Sequence, residues 1–464
     1  MMNRPRRPTL AYNVLDAGAF LCRGRSSRCA FWTLSALILL VMILLSGCSS
    51  FNPLPTEERH IVVLWHTFTG AEAKALQTLS DRFNAENSWN IVLITEYQEQ
   101  LIDKLRAAPD TRPDLVTVWP KELQTYVAMG MVGATPAMSS EMQQDWDDVL
   151  PMAKALYEVG EVPQALPLGL ATYLSYYNVD WLADLGYEAS TASWEDFRRT
   201  VCAATDPERG QVGVGMPARA SILMAMLAAS GSDIVGEDGY FNFADDAGRA
   251  TASSLNGVLS GGCGVVYEDW DVGPARLSRS SMAMILESSE RLSEVQRAIL
   301  AGRNFTLGLG VLPGPEGPGP TLWYGPGLMV TAPSQDRQEA ALKVLHWFST
   351  SDPQTYWGEA TQYIPIRRSV IEAELEASEA LDTLASEAVV WSIALAAADN
   401  DAWIAWPQPT NNMTCRASLL RGLLAFDNPE ADTDAYIDAA VTACNTGVVF
   451  SPAPTPVPTE TPAP

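Results

Sequence analysis

Histidine is scarce in this chain. His60, His66 and His346 are the only three in 464 residues, too few and too scattered to form a cluster. A histidine-rich metal centre is therefore not expected, and nothing points to a bound cofactor. No Cys-x-x-Cys pair, Gly-x-Ser-x-Gly elbow, phosphate-binding glycine loop or His-Glu-x-x-His helix occurs, so the common sequence routes to an enzyme are missing. Basic residues are in deficit too, 30 against 55 acidic ones, for a net charge of −25. A surface of that sign repels phosphate backbones and anionic lipid, which argues against a nucleic-acid partner. The one long apolar run, Ala30 to Leu45, falls short of the about 20 residues that a spanning helix needs.

That run has a meaning of its own. Six arginines precede it, and Leu45-Ser46-Gly47-Cys48 ends it. A basic region, a short apolar stretch and small residues at a cleavage site make an export signal. With cysteine at its end the site resembles the bacterial lipobox, in which Cys48 is acylated and becomes the mature N-terminus. An uncleaved signal anchor is the alternative. Either way the arginines hold this end on the cytoplasmic side, and the rest acts outside the membrane. Residues 1–47 are read as the signal peptide and 48–59 as a spacer. The leader carries six arginines against one aspartate, so the mature part is more acidic still.

Two of the seven cysteines, Cys22 and Cys29, leave with the leader, and Cys48 takes the lipid. Cys202, Cys263, Cys415 and Cys444 remain, an even number in an oxidising compartment. Three pairings are open. Cys202–Cys263 and Cys415–Cys444 are favoured, because nearer partners close a loop at lower entropic cost. Free buried thiols are the alternative.

Strands and helices alternate after residue 60. Ile61 to Trp65 is a continuous β-branched run, read as a buried strand. Thr69 and Glu72 fit a capping box for the helix that follows. Ile91 to Thr95 and Leu115 to Trp119 read as strands, with a helix over Leu101 to Ala108 between them. This order predicts a parallel sheet covered by helices. Tyr173 to Asn178 begins a second α/β region, and Ser193 caps a helix. Trp323 to Val330 reads as one strand, Asp336 to Ser349 as a helix, and Asp352-Pro353 as an N-cap with proline at the first helical position. Helices dominate from Arg368 to Asn445. Residues 448–464, rich in proline and threonine, read as an extended tail.

Several blocks then align with a known family. Trp65 to Gly70, Arg82 to Asn87, Pro113 to Val116, Leu166-Pro167 with Tyr176 to Asp180, Trp194 to Phe197, Met282 to Glu290, Gly325 to Val330 and Tyr363 to Arg367 occur in order. The chain resembles the family 1 extracellular solute-binding proteins, the substrate receptors of importers for sugars and glycerol phosphates. The resemblance implies a type II periplasmic-binding-protein-like fold of two α/β lobes, with a hinge between them and a ligand cleft. The N-lobe is expected over 60–167 and 322–362, the C-lobe over 168–321 and 363–447. It implies a monomer, tethered by lipid to the outer face of the cell membrane. The ligand would be a carbohydrate or a polyol phosphate, delivered to the permease subunits of an ABC transporter.

Candidate ligand contacts follow from strand ends and from the family blocks. Thr67 and Thr69 lie in the loop after the first strand, although capping alone accounts for Thr69. Trp119 and Trp323 sit at strand ends, where an aromatic face suits a sugar's C–H surface; Trp347 and Trp391 read as core. Ser288 and Ser289 resemble a ligand-binding serine pair, or form a turn. Tyr324 and Gly325 open the late hinge strand. Tyr363 matches the family's tyrosine, with Gln362 where glycine is usual. Arg416 falls where some relatives hold a ligand phosphate, or makes an ordinary ion pair. Pro120 stands where glycerol-phosphate relatives carry an acid, which argues against that ligand. Two other functions remain open at this point, a surface glycosidase with paired carboxylates and a receptor feeding a membrane sensor.

Overall fold

The computed structural model describes residues 59–107, 111–131, 146–159, 162–187, 193–236, 238–380, 386–407 and 412–446. Cys48, the leader and the tail 448–464 lie outside the described residues. Among those described, no helix is long and apolar enough to cross a membrane.

Two mixed sheets, both flanked by helices, organise the chain. In the first, β1 (His60–His66) lies between parallel neighbours β2 (Ile91–Tyr97) and β3 (Leu115–Val118). Helices α1 (Gly70–Glu86) and α2 (Leu101–Ala107) make the crossovers, and α3 (Pro120–Ala128) follows β3. These are the strands that the β-branched runs predict. Strand β4 (Leu166–Pro167) forms the far edge of this sheet.

The second sheet is built on β5 (Ala171–Asn178), all eight residues of which are buried. Its side chains alternate between two cores. Leu174 and Tyr176 face the core shared with the first sheet, whereas Tyr173 and Tyr177 face a second one, as the two-residue strand period dictates. After α4 (Trp194–Ala203), capped by Ser193 Oγ accepting from the Asp196 amide, come β6 (Val212–Pro217), α5 (Ala220–Ala229), β7 (Gly264–Tyr267), β8 (Met282–Ser288) and β9 (Leu307–Gly310). Strands β6, β7 and β8 run parallel to one another, and β8 is antiparallel to β5.

The stretch expected as a single strand, Trp323 to Val330, is two. β10 (Thr321–Tyr324) belongs to the second sheet beside β5, and β11 (Gly327–Val330) to the first between β3 and β4. Gly325-Pro326 breaks the run because proline removes a ladder donor, and the chain changes sheets there rather than at 322. The passages between sheets are close-packed. A side chain on Gly325 would collide with the carbonyl oxygen of Gly169, and one on Gly169 would meet Tyr363 Cβ at 2.6 Å. The passage at Thr361 to Ile364 is held by a reciprocal backbone pair, Leu170 N to Ile364 O at 2.9 Å and Ile364 N to Leu170 O at 2.8 Å.

Helices α6 (Gln335–Ser349) and α7 (Ser351–Thr361) follow β11. Thr350, not Asp352, is the N-cap of α7, so Pro353 sits at its third position, where its missing donor is still not required. Gln362 closes α7 in the left-handed region, φ 67°, the conformation that the family's glycine would take freely. A short strand, β12 (Trp403–Ala405), pairs with β10. The described residues end in α8 (Asn412–Ala425) and α9 (Thr433–Asn445). Disulfides join Cys202 to Cys263 and Cys415 to Cys444, the favoured pairing.

Candidate functional site

Strand ends define the site. β3 delivers Trp119, Pro120 and Lys121; β6 delivers Arg219 and Ser221; β7 leads to Trp270, β8 to Glu290, β12 to Trp406, and Tyr324 ends β10. All of these line one cavity of about 950 Å³, counting its open mouth. Tyr173 joins them from the start of β5, because an antiparallel strand begins where its neighbours finish. Cleft sites of α/β proteins lie at the carboxyl ends of strands for this reason. The first lobe supplies one wall and the second the other. A second cavity adjoins it, sharing Trp270 and Glu290, and adds Thr69, Glu72, Asp271, Arg291, Glu294, Thr361 and Tyr363.

The first cavity is walled by aromatic rings. Tyr324 lies 5.7 Å from Tyr173 and 6.1 Å from Trp406, centroid to centroid. The Arg219 guanidinium stacks over Trp270 at 2.9 Å, with Arg291 at 4.8 Å from the same ring. Lys121 Nζ sits 5.7 Å from the Trp119 ring. Each cation gains from the ring's negative face. Tyr173 Oη and Ser221 Oγ are paired at 2.6 Å.

Carboxylates gather in the adjoining cavity. Tyr363 Oη donates to Glu72 Oε1 at 2.9 Å, and its ring stacks on Trp357 at 6.4 Å. Burial raises the Glu72 carboxyl above its ordinary value, and the Tyr363 bond opposes the rise. Burial pushes Glu290 up to about 7; hydrogen bonding by Tyr363 opposes this, and the charges of Glu72 and Glu287 add to it. Among the described residues Glu290 Oε2 has no hydrogen-bond partner. Beneath them Arg291 bonds Glu287 Oε2 (3.2 Å), Glu294 Oε2 (2.7 Å from Nε) and the Trp270 carbonyl (2.9 Å).

The sequence-predicted contacts divide. Trp119, Tyr324 and Arg416 line the first cavity, and Thr69 and Tyr363 the second. Thr69 does occupy the N-cap of α1, but its side chain makes no capping bond; Glu72, expected to complete the box, is held by Tyr363 instead. Trp323 is fully buried, its indole N–H donating to Thr321 Oγ1 at 2.7 Å, and belongs to the core. The serine pair is spent inside the fold. Ser288 Oγ bonds Tyr324 Oη at 2.5 Å, and Ser289 Oγ accepts from the Thr172 amide at 3.1 Å. Gly325 lines neither cavity and serves the chain passage. The Thr67 amide donates to Thr117 Oγ1 at 3.2 Å, and Thr67 lines neither cavity. Sequence reasoning missed Lys121, Arg219, Trp270, Glu290 and Trp406. The signal for them is positional, since each lies within four residues of a strand's C-terminal end.

The family described as bacterial extracellular solute-binding protein matches residues 78–383. Among curated proteins, none is significantly similar in sequence. Several solved structures share the fold. The cyclic α-maltosyl-1,6-maltose binding protein of Arthrobacter globiformis is 20% identical over 83% of this chain and 98% of its own, with a TM-score of 0.69. The GacH receptor of Streptomyces glaucescens, solved unliganded and with acarbose, is 18% identical over 85% and 100%, at 0.68. The sugar-binding protein MalE of Xanthomonas citri is 19% identical over 83% and 96%, at 0.68.

Proposed function

The chain belongs to the bacterial extracellular solute-binding proteins, and from that premise we propose that it is a carbohydrate receptor of a membrane importer. It binds a mono- or oligosaccharide between its lobes, closes, and hands the ligand to permease subunits of an ABC transporter. Its lobes run over 60–167 with 326–362 and over 168–325 with 363–446. The observation that carries the ligand class is the cleft itself. Trp119 on one wall and Tyr324 and Trp406 on the other offer flat apolar faces, with hydroxyls and carboxylates between them. Sugars present apolar C–H faces and polar rims, and that alternation suits both. The cleft's carboxylates hold hydroxyls rather than cleave a glycosidic bond, in keeping with a family of binding proteins.

Calorimetry of the purified exported part against mono-, di- and oligosaccharides tests this. Saturable binding without turnover is expected. Tyr363→Phe frees Glu72 of its partner and removes one hydroxyl, at a cost of about 1–3 kcal/mol, or roughly five- to a hundredfold in affinity. Trp119→Ala removes a stacking face and weakens binding as well. A folded protein that binds no saccharide, or turns one over, overturns the proposal.

The receptor is held at the outer face of the cell membrane by lipid on Cys48. Replacing Cys48 with serine should move the protein from the membrane to the soluble fraction on cell fractionation. Unchanged membrane retention would mean that the apolar run 30–45 anchors it.

A further inference from the structure

The charge of the first cavity is opposite to that of the protein. The chain carries 55 acidic residues against 30 basic. Yet the ionisable side chains lining the first cavity, apart from Tyr173 and Tyr324, are Lys121, Arg219 and Arg416 against one carboxylate, Glu290. None of the three cations has a described carboxylate within ion-pair distance, although many other arginines of the chain do. Lys121 and Arg219 stack on tryptophan rings, and Arg219 Nε is buried without a hydrogen-bond partner among the described residues. They also repel one another. Burial disfavours the charged form of both Lys121 and Arg219; Glu122 opposes this at Lys121, and Tyr173 and Glu287 oppose it at Arg219, while Arg416 adds to the cost at both.

Backbone adds the same sign. α3 and α5 both begin at this cavity, with Trp119 and Arg219 as their N-caps. Neither N-cap side chain is one that accepts from the first-turn amides, and a helix start is positively polarised. Two helix starts from opposite lobes and three cations without an ion-pair partner among the described residues therefore converge where aromatic faces wait; Glu122, which accepts the Trp119 amide at 3.2 Å, offsets part of the charge at the start of α3. A neutral sugar gives such a cluster nothing to neutralise it. A negatively charged oxygen group does, through charge-assisted hydrogen bonds that arginine makes in pairs.

We propose that the cleft takes an acidic saccharide, whose carboxylate or phosphate lies among Lys121, Arg219 and Arg416 while its ring packs on Trp119 and Trp406. This rests on the carbohydrate reading and names the ligand class within it. The carboxylates of the adjoining cavity, Glu72 and Glu290, are left for the hydroxyls of neighbouring sugar units.

Calorimetric titration of the exported protein with four probes tests the assignment: trigalacturonate, maltotriose, glucose 6-phosphate and inorganic phosphate. At low salt an acidic saccharide should bind at least about tenfold more tightly than maltotriose, and the gap should shrink as sodium chloride is raised. Trigalacturonate and glucose 6-phosphate separate a uronate from a phosphate ligand. Arg416→Gln, on an exposed position, should lower the acidic-to-neutral affinity ratio by about tenfold. If maltotriose binds as tightly as both acidic saccharides, or if Arg416→Gln leaves that ratio unchanged, the charge assignment falls and the carbohydrate reading stands. If no saccharide binds, both fall. Binding of inorganic phosphate with no saccharide bound makes an anion site without a sugar site, and overturns the proposal too.

Discussion

Arg291→Met should destabilise the fold by about 3–5 kcal/mol at neutral pH, the usual penalty for stranding one member of a buried ion pair. Glu287 is its partner, at 3.2 Å, with side-chain exposures of 1% for the glutamate and 8% for the arginine. Without Arg291, Glu287 keeps the Ser288 amide at 3.0 Å and the more distant Tyr267 hydroxyl at 3.5 Å. Those do not balance a buried negative charge. Burial already raises the Glu287 carboxyl, with Arg291 among the groups holding it down, so the variant raises it further. A carboxyl raised in the folded state is tolerated at acid pH and penalised as pH climbs. The loss in denaturant-derived stability should accordingly be larger at pH 8 than at pH 5. Glu287→Gln in the same chain, which removes the stranded charge, should recover most of it. A loss that is equal at both pH values and indifferent to Glu287→Gln would assign the effect to lost packing on Trp270.

Glu290→Gln should make the ligand-free protein more stable at neutral pH and leave it unchanged near pH 4.5. The Glu290 carboxyl is raised from 4.5 to about 7. Its folded form therefore favours the proton, and stability is lost as pH rises from the unfolded value towards the folded one. At about 1.4 kcal/mol per unit the difference is on the order of 3 kcal/mol, fully expressed above pH 7. The groups facing it are Glu72, Glu287, Arg291 and Tyr363, of which the two glutamates push the same way. Denaturant unfolding of parent and variant at pH 4.5, 6 and 8 reads the effect. Curves that differ by the same amount at all three pH values would falsify it.

The frame of the molecule was legible because its strands carry local marks. β1 and β3 are β-branched runs, Ser193 caps a helix, and the late cysteines pair with their nearer partners. The site was legible only in part, and the reasons are physical. Trp323 and Tyr324 are neighbours on one strand, so one must face inward and the other outward. The two-residue period gives that alternation but not its phase, and the outward one is Tyr324. Thr69 and Glu72 have the spacing of a capping box, yet Glu72 is taken by a tyrosine 291 positions away, a partner no local pattern contains. Arg219 and Trp270 lie in the loops beyond β6 and β7, and no local residue pattern says which loops of a sheet reach the cleft. The Ser288–Ser289 pair matched a block of the family and was nevertheless consumed by Tyr324 and Thr172. A shared motif transfers a place in the fold more safely than it transfers a task.

The three passages between the sheets, at Leu168-Gly169, Gly325-Pro326 and Thr361 to Ile364, have a mechanical consequence. A door on one pin swivels and wobbles; on three it swings along a single arc. Here the pins lie against one another, Gly325 on Gly169 and Gly169 on Tyr363, and are stitched by the Leu170–Ile364 pair. Bending about them is open to small changes in backbone torsion. Twisting or sliding one half past the other would tear these contacts. In the proposed closure these contacts, and not the occupant, set where Trp119 comes to face Trp406.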